Sequence, residues 1–426
     1  MTRRNRGVVC AALLLASGIP VSVAQEYKAN LPADDPAIRY HESAPRDAVS
    51  RLAQRLEQEA LPAVARSGPL GALSAVLDAL HLSSDSQMLV FSKTSLQAPR
   101  ISPDRPRAIY FNDDVALAYV PGSSSMEIGA IDPQAGPIFY TMTIGGPGAP
   151  AITRGQACLR CHQGPNTAGV PGLYVGSVIP GPTGAPVRDD TAIITDHRTP
   201  FADRWGGWYV TAKRGEQLDR ANAIASNPAE PDALVRERPS NLQSLVGFFD
   251  RSQYLAGSSD IVALMTFEHQ TQMINLITRV GWEARMGTRG GTESIPAALN
   301  ADIEALVAYM LFAGEVPLRD PVEGVSPFAR TFPERGPRDH QGRSLREFDL
   351  QTRLFRYPLS YMIYSEAFDA LPAAARARVY GRLHDVLSGA DRNPEYARLT
   401  PGDRRAILEI VRDTKKDLPA VWRDAP

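Results

Sequence analysis

The sequence predicts an α+β fold, with a mixed α/β-meander domain first and an all-α region after it. Three observations carry that prediction. Between Met88 and Met142, short apolar or alternating runs are separated by turn signals, the period-2 pattern of strands. Beyond Ser258 the apolar residues recur at helical spacing almost throughout. Between these stretches, residues 226–241 are polar and hold Asn227-Pro228, Pro231 and Pro239, the composition of a linker. The expected domains are therefore an α/β unit over 25–225 and a helical domain, or a helical layer packed on the first, over 242–426.

The elements follow in order. A helix is expected over 43–60, with Ser43 as N-cap, Pro45 early, and Val49, Leu52, Ala53 and Leu56 on one face. A second carries Leu73, Val76, Leu77 and Leu80. Strands are expected at Met88–Phe91, Arg107–Phe111, Val115–Val120, Glu127–Ile131 and Ile138–Met142. Turns at Asn112-Asp113-Asp114, Pro121-Gly122-Ser123 and Asp132 to Gly136 join them into a meander. Further strands are expected at Tyr174–Ile179, Thr191–Thr195 and Trp208–Ala212. In the helical half, Ser258 or Ser259 caps a helix reaching Met286, and Leu299 to Leu311 form another that Gly314 stops. Leu345–Ser365 reads as helical with a break near Pro358. Ala373–Leu387 and Pro401–Thr414 complete the set, the last capped by Thr400 with Pro401 at its first position.

Residues 1–24 read as a secretory signal peptide. Arg3, Arg4 and Arg6 precede an uncharged run from Val8 to Gly18, and Ser22-Val23-Ala24 offers small residues for cleavage before Gln25. The apolar run falls short of the roughly 20 residues that span a bilayer, and no later stretch approaches that length, so no integral membrane segment is expected. The chain is expected in the periplasm. Removing this segment takes three arginines and no acid, so the net charge of −1 becomes −4. With 46 basic and 47 acidic side chains there is no electrostatic footprint for nucleic acid.

Of three cysteines, Cys10 lies in the leader, leaving Cys158 and Cys161, followed at once by His162. That C-x-x-C-H run is the attachment signature of c-type haem. On one helical turn, thiols at i and i+3 can reach two vinyl groups of one porphyrin, and the adjacent imidazole can reach the iron from the same side. Chance placement of two cysteines and a histidine in this order is about one in ten thousand. A redox dithiol would need a thioredoxin-like context, and structural zinc a further Cys/His pair; neither is found nearby.

On Cys158, Cys161 and His162 the sequence resembles c-type cytochromes. The resemblance implies one covalent haem c, held by thioethers from both cysteines and ligated by His162. It departs from small soluble cytochromes in having no Met between Met142 and Met265. The segments Gly-Gly-Trp-Tyr at 206–209 and Phe-Arg-Tyr-Pro at 355–358 are similar to a large family of exported haem-binding proteins. A meander with an inserted haem segment is also similar in architecture to PAS-like haem sensory domains.

For the second iron ligand, His269 is the first candidate. It lies on a stripe of Val262, Met265, His269, Met273, Leu276 and Val280 at helical steps, an apolar face against which haem could pack. Met273 is a second possibility on that stripe, and His197, in Asp196-His197-Arg198-Thr199-Pro200, is the competitor. His81 reads as a helix end, and His41, His340 and His384 as exposed. Haem propionates want cationic partners, for which Arg160, Arg198 and Arg204 are the candidates. Trp205, Trp208 and Tyr209 could wall the haem or fill core; Tyr357, Tyr361 and Tyr364 read as core. No phosphate loop, HExxH or GxSxG elbow occurs. The expected function is electron transfer to a redox partner protein. The alternatives are a haem enzyme working on peroxide, a nitrogen oxide or an organic substrate, or a haem-based gas or redox sensor.

Overall fold

The computed structural model describes residues 28–58, 68–144, 151–188, 192–226, 241–287 and 296–423. The expected leader over 1–24 and the expected linker between Ser226 and Asn241 lie outside them. The architecture is α+β. In chain order come α1 (Ala48–Gln58), α2 (Pro69–Ala79), β1 (Met88–Val90), β2 (Arg107–Phe111), β3 (Val115–Tyr119), β4 (Ser125–Asp132), β5 (Gly136–Thr143) and β6 (Ile152–Arg154). The one-turn helix α3 (Leu159–His162) follows, then β7 (Val175–Ser177), β8 (Ile193–Thr195), β9 (Trp208–Tyr209) and β10 (Ala212–Lys213). The second half holds α4 (Ile261–Gly287), α5 (Ala297–Met310), β11 (Glu323–Gly324), α6 (Phe328–Glu334), α7 (Glu366–Asp369), α8 (Ala373–Ser388) and α9 (Pro401–Thr414).

Strands β1 to β6 form an antiparallel meander, each paired with the next, and β9 closes the far edge beside β1. Side chains alternate between faces. Leu117, Tyr119, Met126, Ile128, Ile138, Tyr140 and Met142 share one core with α1 and α2. Met88, Val90, Ile109 and Phe111 share another with α4 and the helices beyond it. Phe111 meets Phe267 of α4 with ring centroids 4.9 Å apart. The helical half thus packs on the sheet directly, its apolar side chains running into those of the strands without a break. This explains why α4 is buried on nearly all sides: the sheet lies along one flank and α5 to α8 along others.

Several expectations need correcting. The first helix starts at Ala48, not Ser43, because the Asp47 carboxylate accepts from Val49 N and Ser50 N, both at 2.8 Å. Likewise α4 is capped by Asp260, not by Ser258 or Ser259. Its second carboxylate oxygen accepts from Val325 N and Ser326 N, both at 2.8 Å, tying the helix start to β11 and the segment after it. Residues 345–365 form no long helix. They run through a bridge between Phe348 and Phe355 and a single 3₁₀ turn at Tyr361–Tyr364. Their aromatic spacing reflects packing of an irregular strap around α4, with Tyr361 donating to Gln270 Oε1 at 2.6 Å. The expected strand 208–212 divides, β9 joining the main sheet and β10 pairing with β11. Thr191 lies outside the described residues.

No helix among the described residues is long and apolar enough to cross a membrane. The longest, α4, carries Glu268, Arg279, Glu283 and Arg285.

Candidate functional site

The Cys158–His162 segment sits at the β6 edge of the sheet. β6 pairs with β5, Gly155 N donates to Phe139 O at 2.8 Å, and a 3₁₀ turn over Gln156–Cys158 leads into α3. Gly155 precedes this turn in an extended conformation, and a β-carbon there would stand 3.0 Å from Cys158 Sγ. Both thiols are free; Cys158 is half-buried and Cys161 exposed. Three residues apart on continuous helical turns, they project from one side. Burial and the nearby Glu127 carboxylate push the Cys158 thiol pKa up.

His162 is fixed on three sides. Its ring packs on Phe139 of β5 at 4.6 Å and on Tyr174 at 5.4 Å between centroids. Its Nδ1 lies 2.9 Å from the Gly172 carbonyl, and Gly172 N donates back to the His162 carbonyl at 2.8 Å. A carbonyl only accepts, so Nδ1 carries the proton and Nε2 keeps its lone pair. Burial chiefly, with the charge of Arg107, lowers the His162 pKa against the pull of that hydrogen bond. The result is a neutral imidazole of defined tautomer, the state in which histidine binds a metal.

Gly172 is held in turn from α4. Asn275 accepts from Leu173 N at 3.1 Å and donates to Leu173 O at 2.8 Å. A β-carbon on Gly172 would fall on Asn275 Oδ1 and lie 2.6 Å from Thr167 Cβ, so glycine is required by the close approach. One turn further on, Arg279 donates to the carbonyls of Ala168 and Ala29 at 2.9 and 3.0 Å. It pins the loop and the N-terminal segment over it.

His269 lies elsewhere. It is fully buried, its Nδ1 3.0 Å from His197 Nδ1 and its Nε2 2.8 Å from Ser360 Oγ. Phe312 stacks on it at 4.3 Å and Tyr309 at 5.3 Å, with Phe355 and Tyr361 edge-on or tilted beyond them. Both ring nitrogens are engaged and the cage around them is protein. Burial drives both histidine pKa values well below the ordinary value, so the pair is neutral. Beside it, the Glu268 carboxyl accepts from Thr195 Oγ1 at 2.5 Å and faces Arg204 at 3.4 Å; burial raises its pKa to about 7.

The structure therefore brings Cys158, Cys161 and His162 together and groups His269 with His197 in a separate buried cluster. Met273 is fully buried core. Of the arginines, Arg160 is exposed beside the motif. Arg198 pairs with Asp196 at 2.6 Å, and Arg204 is buried, donating to the Thr199 and His197 carbonyls. These last two belong to the histidine cluster. Trp205, Trp208 and Tyr209 are core. His81 ends α2 with φ 55°, and His340 is exposed against Asp413, whereas His384 is half-buried against Trp422. Among the described residues no group of three or more His, Cys, Asp or Glu could hold a bare metal ion. A porphyrin brings four nitrogens of its own, so one imidazole for the iron and two free thiols for the vinyl groups suit a covalent haem. Sequence reasoning missed Gly172, Asn275, Phe139 and Tyr174. No protein-family model, curated protein or solved structure matches this chain.

Proposed function

We propose that this protein is an exported monohaem c-type cytochrome that passes single electrons to a redox partner protein. The observation that carries the reading is His162. Its Nδ1 is tied to the Gly172 carbonyl, leaving Nε2 for iron, directly beside two free thiols on one helical face. Covalently held haem supplies one-electron chemistry between ferric and ferrous iron. Cys158 and Cys161 hold the porphyrin edge, and Phe139 and Tyr174 keep the His162 ring from rotating. The position of α3 at the sheet edge, with Cys161 exposed, leaves a short path to a partner surface. Export through residues 1–24 fits covalent attachment, which prevents cofactor loss outside the cell.

A second reading is favoured by one specific observation. His269, His197 and Met273 are engaged in packing of their own, which supports an open or weakly held sixth position and hence catalysis or gas sensing. The sensor version rests on the likeness of a meander with an inserted haem segment to PAS-like domains. One experiment separates these readings. The chain is expressed with haem-maturation machinery and its reduced spectrum recorded before and after carbon monoxide. No covalent haem overturns the proposal and returns Cys158 and Cys161 to a dithiol role. Haem with an unchanged spectrum supports electron transfer; a shifted spectrum puts catalysis or sensing first.

A further inference from the structure

The sheet face that carries Phe139 also carries an ion pair that the attachment chemistry leaves unused. Arg107 of β2 and Glu127 of β4 approach at 3.4 Å, both largely covered. Register places them beside His162. Phe139 pairs directly with Gly129, and Glu127 is the next residue of β4 on that face, about 7 Å along the strand. Ala118, which pairs with both Ile109 and Glu127, separates the two charged side chains and is too small to screen them. Gly129 is equally bare, with Leu173 and Phe139 standing over it at 3.2 and 3.6 Å from where its β-carbon would be.

The pair is incompletely satisfied. Arg107 Nε and Glu127 Oε1 are buried and have no hydrogen-bond partner, although the two residues face one another. An unpaired buried guanidinium nitrogen is costly. For stability alone, two apolar side chains would serve as well in this place.

Resting on the reading of Cys158–His162 as a haem site, we propose that Arg107 and Glu127 set the reduction potential of that haem as opposed charges on the sheet face beneath His162. Arg107 disfavours the extra positive charge of ferric iron, and Glu127 favours it. They are positioning residues for charge, not ligands. Neither is the propionate partner expected from sequence, since those candidates were Arg160, Arg198 and Arg204.

The test is spectroelectrochemical titration of the haem-loaded chain and of Arg107→Gln, Arg107→Lys and Glu127→Gln. Arg107→Gln should lower the midpoint and Glu127→Gln should raise it, each by at least a tenfold change in the redox equilibrium, 59 mV for one electron. Arg107→Lys, which keeps the charge, should stay nearer the parent than Arg107→Gln. Shifts of the same sign, or no shift, overturn the inference, because a scaffolding pair would disturb the site alike from either side. Loss of haem attachment in both Gln variants while the parent is loaded overturns it too. A parent chain without covalent haem overturns the haem reading itself, a result distinct from the others.

Discussion

Replacing His269 by leucine separates a buried structural pair from an iron ligand. The substitution is close in volume, so the cavity contribution is small. It removes the 3.0 Å bond to His197 and the 2.8 Å bond to Ser360. His197 Nδ1 is left buried without a partner, at about 1–3 kcal/mol. Ser360 is affected less, since its hydroxyl oxygen still accepts from Met362 N, and its share is about 1 kcal/mol. Loss of ring stacking on Tyr309 and Phe312 adds about 1 kcal/mol. The expected destabilisation is therefore about 4 kcal/mol, from the same contributions. Urea unfolding of the haem-loaded protein by circular dichroism measures it, and the absorption spectrum in both oxidation states is recorded on the same samples. The expected result is a lower unfolding midpoint with an unaltered haem spectrum. A changed spectrum with stability intact would refute the reasoning and make His269 the sixth ligand.

Three further outcomes test the frame around the site. Gly172→Ala forces a β-carbon onto Asn275 and Thr167, displacing the carbonyl that fixes His162. Weakened iron ligation should appear as a spectral change in a chain that still attaches haem, and an unchanged spectrum would deny Gly172 its role. Asp260→Ala removes four acceptor contacts at the start of α4 and should cost about 2–4 kcal/mol in chemical unfolding. A loss under about 0.5 kcal/mol would count against the cap. Glu315 is buried and its carboxyl pKa is raised from 4.5 to about 7. Between those values the folded state holds the proton more tightly than the unfolded chain, so this group's contribution falls as pH rises through that window. Glu315→Gln should therefore gain stability relative to the parent from pH 5 to pH 8, by up to about 3 kcal/mol. A constant difference across that range would refute the shift.

The meander was legible because its strands alternate on a half-buried sheet and its turns are marked by Asn, Asp, Pro and Gly. Helices α4, α5, α8 and α9 were legible through their apolar period, and α9 through its Thr400 cap, which accepts from Asp403 N at 3.0 Å. The strap over 345–365 was not, because aromatic residues at steps of three and four satisfy a helical template equally when an irregular segment wraps a helix. Caps moved for a related reason. Asp47 and Asp260 each serve a helix start, and Asp260 also serves the segment after β11, a long-range demand that local spacing does not contain. In the proposed site, Cys158, Cys161 and His162 stood out because C-x-x-C-H is a local pattern of neighbouring positions. Gly172 and Asn275 act from 10 and 113 residues beyond His162, and nothing local distinguishes them from any loop glycine or helical asparagine.

The apolar stripe on α4 drew attention to His269, yet the same helix reaches the site through a different face. Asn275 lies six residues on, which at 100° per residue turns its side chain about 120° away from that of His269. One flank of α4 closes the His197–His269 aromatic cage, and the other clamps Leu173 and so sets the Gly172 carbonyl against His162. The helix is thus a positioning element for His162. Its near-complete burial, with Asp260 fixing its start, keeps that carbonyl from drifting. This also gives the long helical half a role that a bare electron carrier would lack: the helices packed around α4 hold rigid the support from which the imidazole is aimed.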